Sequence, residues 1–446
     1  MSMFQVAYIP IGVPTFHLES ANDQFNKSIE LLRELTKEGV YPEKPLLSID
    51  DLKAYLDTIA PNLIILQNNT FANAAYATEV LKKFECPILL WTLREPVIDG
   101  GRLRLNSLTG AYSAGNLMHH IERSNFEYIF GGPSEERVRK TIDATIRAAK
   151  VKEELRSLNV ASIGQTPQGF GFGRGLDAEV ARAFGANLES IEARELMNKA
   201  KSYKEEDYQD LKEESFSKMV GLELLPAQNV DAYLRLYKAY KDFVVSKNIK
   251  ALASRCWPDF FTEYGTPVCG VLGMLNDDLV AAACEADLYG AITMYIGIQL
   301  THGPVFFGDP VSLDEADNTV TYWHCGTAAC SLARSDKGAQ MGVHPNRKIG
   351  PTMEFGCKPA DEVTVFRVGR KPDGSFRFFI ATGEALDVPK QFLGTSVVVK
   401  TDSKALSLVE QSVKDGWEPH FAVIYADVAH ELEILARLLE MEICKY

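Results

Sequence analysis

The chain has 446 residues, a net charge of −13, and 46% hydrophobic and 24% charged residues, ordinary globular proportions with room for roughly two to four domains. The acidic balance excludes the concentrated Lys and Arg that a nucleic-acid partner demands, and no apolar run reaches the roughly 18–20 residues of a membrane helix. The start, MSMFQVAYIPIGVPTF, lacks the basic region of a secretory leader, and eight scattered cysteines include no C-x-x-C pair, so a reduced cytoplasmic protein without a thiolate zinc site is expected.

In chain order, Val6 to Val13 reads as a strand and Phe25, Ile29, Leu32 and Leu35 recur at helical spacing. Leu63 to Leu66 is a short buried strand, Ala74 to Phe84 a helix and Pro87 to Trp91 another strand. A helix containing Asn116 to Arg123 and a strand at Tyr128 to Phe130 complete the unit. Continuous apolar strands alternating with helices predict a parallel α/β sheet. A charged helical connector near Arg139 to Arg156 leads to a second such unit, opening with the strand Val160 to Gly164. The Gly-rich stretch Gly164 to Gly175 lacks the context of a nucleotide cradle and reads as a loop, flexible or facing a substrate. Lys199 to Glu214 reads as a solvated helix or linker, followed by helix from Val230 to Lys247. Short β segments at Val363 to Val368, Phe376 to Ala381 and Ser396 to Lys400 precede a closing helix from Val428 to Leu439. The expected class is α/β: two doubly wound parallel-sheet domains, 1–155 and 156–300, then a C-terminal β-rich domain, 301–446.

The chemistry concentrates between Cys256 and Leu332. Glu285 follows the apolar run Leu279 to Ala283, and a carboxylate so placed needs a partner. Asp287, opening the next helix, reads as an N-cap. Asp309 stands where the strand from Pro304 ends in Gly-Asp-Pro, a common turn but also the end of a strand, where α/β proteins bind ligands. His324, between Trp323 and Cys325, suits a core histidine or a ligand equally; His420, before the strand Phe421 to Tyr425, is weak evidence alone. Together, two carboxylates and two imidazoles at element ends suit Mn²⁺, Fe²⁺ or Co²⁺ better than a closed zinc site.

At these residues the sequence resembles the L-fucose isomerase and L-arabinose isomerase superfamily, in particular its shorter fucose-isomerase-like members. The stretches are CEADLYGAITMY, PVFFGDPVSLDEADNTVTYWHCGTAACSLA, WTLREPVIDGGRLRLNSLTG and WEPHFAVIYADVAHELEILARLL, spread over most of the chain. The resemblance implies that Glu285 and Asp309 bind a metal and move the proton, and that His420 is a further ligand. His324 matches a histidine that arabinose isomerases use as a ligand and the larger fucose isomerases do not. It also implies a homo-oligomer, trimer or hexamer, in which one subunit's N-terminal domain covers another's active site.

The expected activity is metal-dependent aldose–ketose isomerisation through an enediolate, with Mn²⁺ as the expected ion. Arg94, Asn106, His120, Arg174 and Trp323 are the residues expected to read the rest of the sugar. That sugar is expected to be a deoxyhexose, a pentose or a C6-modified hexose, including a C6-sulfonated one such as sulfoquinovose. The rivals are a non-catalytic sugar-binding protein and a metal-dependent aldolase.

Overall fold

A computed structural model describes residues 4–446. They form two compact units: one runs through Glu153 and takes in His430–Met441, and the other comprises Glu154–Ala429 and Glu442–Tyr446.

In the first unit, Val6–Ile11, Leu63–Asn68 and Ile88–Thr92 are buried end to end, as a sheet covered on both faces requires. With Gly39–Val40 and Phe126–Phe130 they make a wholly parallel sheet. Its order is Gly39–Val40, Val6–Ile11, Leu63–Asn68, Ile88–Thr92, Phe126–Phe130. The predicted stripe of Phe25, Ile29 and Leu32 is the buried face of the helix Leu18–Leu35. The helix predicted around Asn116 begins earlier and spans Ser107–His120.

The second unit starts with a four-stranded parallel sheet in the order Ala281–Ala283, Ala251–Ser254, Asn159–Ile163, Asn187–Ile191. Its outer strand, NLESI, is half exposed and has no apolar run, so its sequence gave no strand signal. The charge-dense stretch splits into the helices Ala193–Ser202 and Gln209–Lys218, anchored between them by buried Tyr203 and Tyr208.

After residue 300 the chain is β-rich and closes on itself. Among the described residues, a barrel-like sheet runs Ala360–Arg370, Phe421–Ile424, Phe306–Asp314, Thr319–His324, Thr395–Thr401, Phe376–Ala385 and back to Ala360–Arg370, all antiparallel. Closure pairs each of these six strands on both sides, and Glu442–Lys445 adds a parallel edge strand beside Phe376–Ala385. The strand predicted to end at Gly308-Asp309-Pro310 instead continues to Asp314. Its register against Thr319–His324 slips between Pro310 and Ser312. Proline cannot donate to the ladder, so the chain accommodates it with a bulge rather than a turn.

The helix Leu288–Thr301 is buried on nearly every side. It packs on the parallel strands Ala251–Ser254 and Ala281–Ala283 and on the barrel strands Ala360–Arg370 and Phe421–Ile424. A helix enclosed in this way has no polar face to show. Its N-terminus brings the end of the parallel sheet against the barrel, and the candidate site lies there.

Candidate functional site

The strand Ala281–Ala283 leads into Cys284, Glu285, Ala286 and Asp287, and the helix follows. Glu285 and Ala286 both have left-handed backbones, with φ of 59° and 55°. Two such non-glycine residues in succession are costly, and positions like these collect at functional sites where the surroundings impose them. Here the amide of Ala286 donates to the carbonyl of Ser254 at 3.0 Å, which fixes the turn to the neighbouring strand.

The turn presents the Glu285 carboxylate to two groups. Oε1 accepts from the indole Nε1 of Trp257 at 3.1 Å, and Oε2 lies 3.0 Å from Nε2 of His420. Asp309, carried by the bulged barrel strand, places Oδ1 3.4 Å from the same Nε2. Burial raises the pKa of the Asp309 carboxyl. Its two carboxylates therefore approach one imidazole from different elements.

His420 is completely buried and its other nitrogen, Nδ1, faces Asp287 Oδ2 at 2.9 Å. Asp287 is the N-cap its position predicted, accepting from Gly290 at 2.9 Å. It also takes a two-pronged ion pair from Arg367, at 2.6 and 3.0 Å, with both side chains buried. Burial opposes the ionised form of Asp287, but Arg367 and His420 outweigh it and hold the carboxyl well below its usual range. Asp287 thus stays anionic and fixes a proton on Nδ1 of His420, leaving Nε2 to face Glu285 and Asp309. Burial presses the His420 pKa down, but its carboxylate partners win and push it up to about 10.

His324 ends its barrel strand with its ring 5.7 Å from that of His420. Its Nδ1 lies 3.0 Å from the amide of Cys325 and 3.4 Å from the Cys325 thiol, while its Nε2 is buried without a partner among the described residues. If Nδ1 accepts the amide proton, a neutral ring carries its own proton on Nε2. If Nδ1 is protonated towards the thiol, Nε2 is free to ligate. One donor atom each from Glu285, His324 and His420 lies within 4.8 Å of the others. With Asp309 beside them, this oxygen and nitrogen set fits a divalent ion of the Mn²⁺ type.

Glu285, Asp309, Trp323 and His324 line one cavity of about 270 Å³ together with Trp257 and Arg347. The Gly-rich stretch walls the site with Phe170 and Phe172, whose rings lie 6.4 and 5.6 Å from that of His420. Gly173 packs so closely that a Cβ there would sit 2.8 Å from Cα of Asp287. Of the loop's glycines, Gly173 packs against the Ala286–Asp287 turn and Gly175 against the Leu288 side chain, whereas Gly169 and Gly171 face open space.

Of the predicted sugar-reading residues, Trp323 lines this cavity, with its indole N–H committed to the carbonyl of Leu393 at 2.7 Å, and the others lie elsewhere. Arg174 donates to Thr166 at 3.0 Å and lines a separate cavity of about 370 Å³ at the carboxyl ends of Asn159–Ile163 and Asn187–Ile191. Arg94, Asn106 and His120 belong to the first unit. There Arg94 pairs with Glu135 at 2.7 and 2.9 Å, and this hydrogen-bonded pairing holds the Glu135 carboxyl down at about 2. Asn106 accepts from Thr109 at 2.7 Å and His120 closes its helix, exposed.

Sequence reasoning missed Trp257, Arg367 and the orienting role of Asp287. Arg367 did carry a signal: a cation within the apolar run Val365-Phe366-Arg367-Val368 must find a buried anion. It also missed that Cys269, Cys284 and Cys325 gather, fully buried, with their sulfurs within 4.8 Å. Cys269 opens a helix, and Cys284 and Cys325 follow the ends of two different strands, which no C-x-x-C spacing could disclose.

No protein-family model matches the chain. Among solved structures, an ABC transporter solute-binding protein from Agrobacterium vitis, bound with alpha-D-tagatopyranose, is 13% identical. The alignment covers 68% of this chain and 91% of that one at a TM-score of 0.17, too low to support a shared fold. Curated relatives align from end to end. A sulfoquinovose isomerase from Clostridium sp. (strain MSTE9) is 64% identical over 442 residues, covering 99% of both chains. Sulfoquinovose isomerases from Alkalicoccus urumqiensis and Priestia aryabhattai are each 37% identical, over 99% and 98% of both chains respectively. At that identity and coverage, the chain belongs to the sulfoquinovose isomerase family.

Proposed function

We propose that this protein is a sulfoquinovose isomerase, an aldose–ketose isomerase that converts the C6-sulfonated aldose to its ketose by moving a proton between C2 and C1. The observation that carries this reading is the 64% identity over essentially the whole of both chains. The site supplies the means. Glu285 and Asp309 are two carboxylates on independent elements that meet at one imidazole. One can take the proton from C2 of an open-chain sugar and return it to C1 while the other moves the hydroxyl proton from O2 to O1, and each keeps its role in the reverse direction. His420, clamped by Asp287, keeps its ring fixed as charge shifts in the cavity. Phe170, Phe172 and Phe307 pack around that ring and keep water from it.

Glu285, Asp309 and His420, joined by His324 in its Nε2-free tautomer, would hold the divalent ion, for which Mn²⁺ is the best chemical fit. Bound there, the ion supplies Lewis-acid charge that stabilises an enediolate. We place the chain in the L-fucose and L-arabinose isomerase superfamily, supported by the motifs around Glu285, Asp309 and His420. The eight free cysteines support a cytoplasmic location, and no described helix is long and apolar enough to cross a membrane. We read both parallel sheets as doubly wound, and the second unit as a sheet domain to residue 300 followed by a barrel domain. We also propose a homo-oligomer, trimer or hexamer; exposed apolar side chains of the first unit, Ile98 at 93% and Tyr112 at 75%, support it.

The test is ketose formation from sulfoquinovose, followed after chelation and again after Mn²⁺ is restored. Ketose is expected only with the ion present. No ketose under either condition overturns the function, and full turnover after exhaustive chelation overturns the metal.

A further inference from the structure

Resting on that reading of the site, we infer that Arg347, with Asn346 beside it, is the sulfonate-binding element that selects a C6-sulfonated sugar over a neutral one. Both residues line the cavity of about 270 Å³ that also contains Glu285, Asp309 and His324.

The charges of the cavity dictate how a sulfonated sugar must lie in it. Glu285 and Asp309 make one end anionic, so a sulfonate, itself anionic at every biological pH, is repelled from that end. It needs a cation elsewhere in the same cavity, with donors for its oxygens. Arginine is the residue suited to this, because its planar fork of N–H groups matches paired oxyanion acceptors.

Other arginines near the site are paired or face elsewhere. Arg367 is paired with Asp287 and Arg255 with Asp259 at 3.1 Å, while Arg174, bonded through Nε to Thr166, lines the separate cavity of about 370 Å³. Among the described residues, the Arg347 guanidinium has neither an ion pair nor a hydrogen bond; its recorded contacts are with two aromatic faces. It lies 6.0 Å from the ring centre of Trp257 and 5.9 Å from that of Phe261. In a chain of net charge −13, Arg347 is thus a cation that no ion pair among the described residues neutralises. The side chain of Asn346 is likewise uncommitted among the described residues.

The position is built, not accidental. Buried His344 accepts the amide N–H groups of both Asn346 and Arg347 on Nδ1, each at 3.3 Å, and so folds the loop that carries them. His344 is held in turn by Phe261, edge to face at 5.0 Å. Trp257 bears Arg347 on its face and donates its N–H to Glu285. One indole therefore fixes the cation and the acid relative to each other. The sugar is oriented with its carbonyl end at Glu285 and Asp309 and its C6 end at Arg347. Arg347 is thus a specificity residue, and His344 is the residue that positions it.

The test compares wild type with Arg347→Ala and Arg347→Lys on sulfoquinovose and on glucose. Losing the charge-assisted bonds should raise KM for sulfoquinovose by about 30-fold. Its kcat should change far less, and kcat/KM for glucose should stay level or rise. Arg347→Lys should recover part of the loss, because charge returns without the fork. Calorimetric binding of the unreactive alditol of sulfoquinovose provides a reading independent of turnover. Weaker binding to Arg347→Ala supports the inference even if no variant, wild type included, isomerises sugar, an outcome that would overturn the proposed function alone. Equal alditol affinity in wild type and Arg347→Ala, or an unchanged preference for sulfoquinovose over glucose, overturns the inference.

Discussion

Glu285 and Asp287 are both carboxylates, two positions apart, with opposite duties. Glu285 touches the cavity, so Glu285→Gln should leave the fold intact and lower kcat by at least about 100-fold, because the amide cannot take a proton. Asp309→Asn should do the same, and a near-normal kcat in either variant would refute the assignment. Asp287 lies behind His420 and neutralises buried Arg367. Asp287→Asn strands that guanidinium and should cost about 3–5 kcal/mol in denaturant unfolding. A loss of activity without loss of stability would show that the Arg367 pair is not structural. His420→Ala should abolish tight metal binding, read as bound Mn²⁺ per chain by elemental analysis. His324→Ala in parallel separates a three-residue ligand set from a four-residue one. Glu285, His324 and His420 were legible as candidates because each borders an apolar strand, and Asp309 because Gly-Asp-Pro reads as a strand end, although the strand in fact runs on to Asp314. Asp287 was legible as a cap but not as a clamp, since its partners Arg367 and His420 are distant in sequence. Arg347 gave no signal, because an arginine in a polar loop is ordinarily solvated.

At the scale of elements, the helix Leu288–Thr301 is the member on which the site depends. Its first turn holds Asp287 against His420, and its enclosure leaves no slack. A Cβ on Gly290 would stand 2.4 Å from Phe307 Cζ and 2.7 Å from Asp287 Oδ2. Gly290→Ala should therefore destabilise the protein by about 1–3 kcal/mol despite alanine's better helix propensity. A raised melting temperature would mean that the helix can shift. The apolar strands of the first sheet were legible because burial on both faces writes an unbroken apolar run. The strand Asn187–Ile191 was not, being half exposed and polar. Continuation of Phe306–Asp314 past Pro310 was illegible for another reason: local chemistry favoured a stop, and pairing with Thr319–His324 overrode it. Barrel closure by Ala360–Arg370 and Phe376–Ala385 is a long-range fact that no local pattern encodes.

For the whole molecule, the proposed assembly makes its own prediction. Light scattering at assay concentration should give a mass of three or six chains, and Ile98→Asp with Tyr112→Asp should lower it if those exposed side chains are buried between subunits. A fully active monomer would contradict the assembly. The central claim is that the chain isomerises its sugar by proton transfer at the Glu285–Asp309 pair. The measurement that tests it most directly is NMR of sulfoquinovose incubated with the Mn²⁺-supplemented protein in D₂O, beside the Glu285→Gln variant. The account predicts the six-carbon sulfonated ketose with solvent deuterium at its C1, and deuterium at C2 only of aldose re-formed by the reverse reaction, with neither change in the variant. Unchanged aldose, three-carbon fragments, or ketose formed at wild-type rate by Glu285→Gln would contradict it.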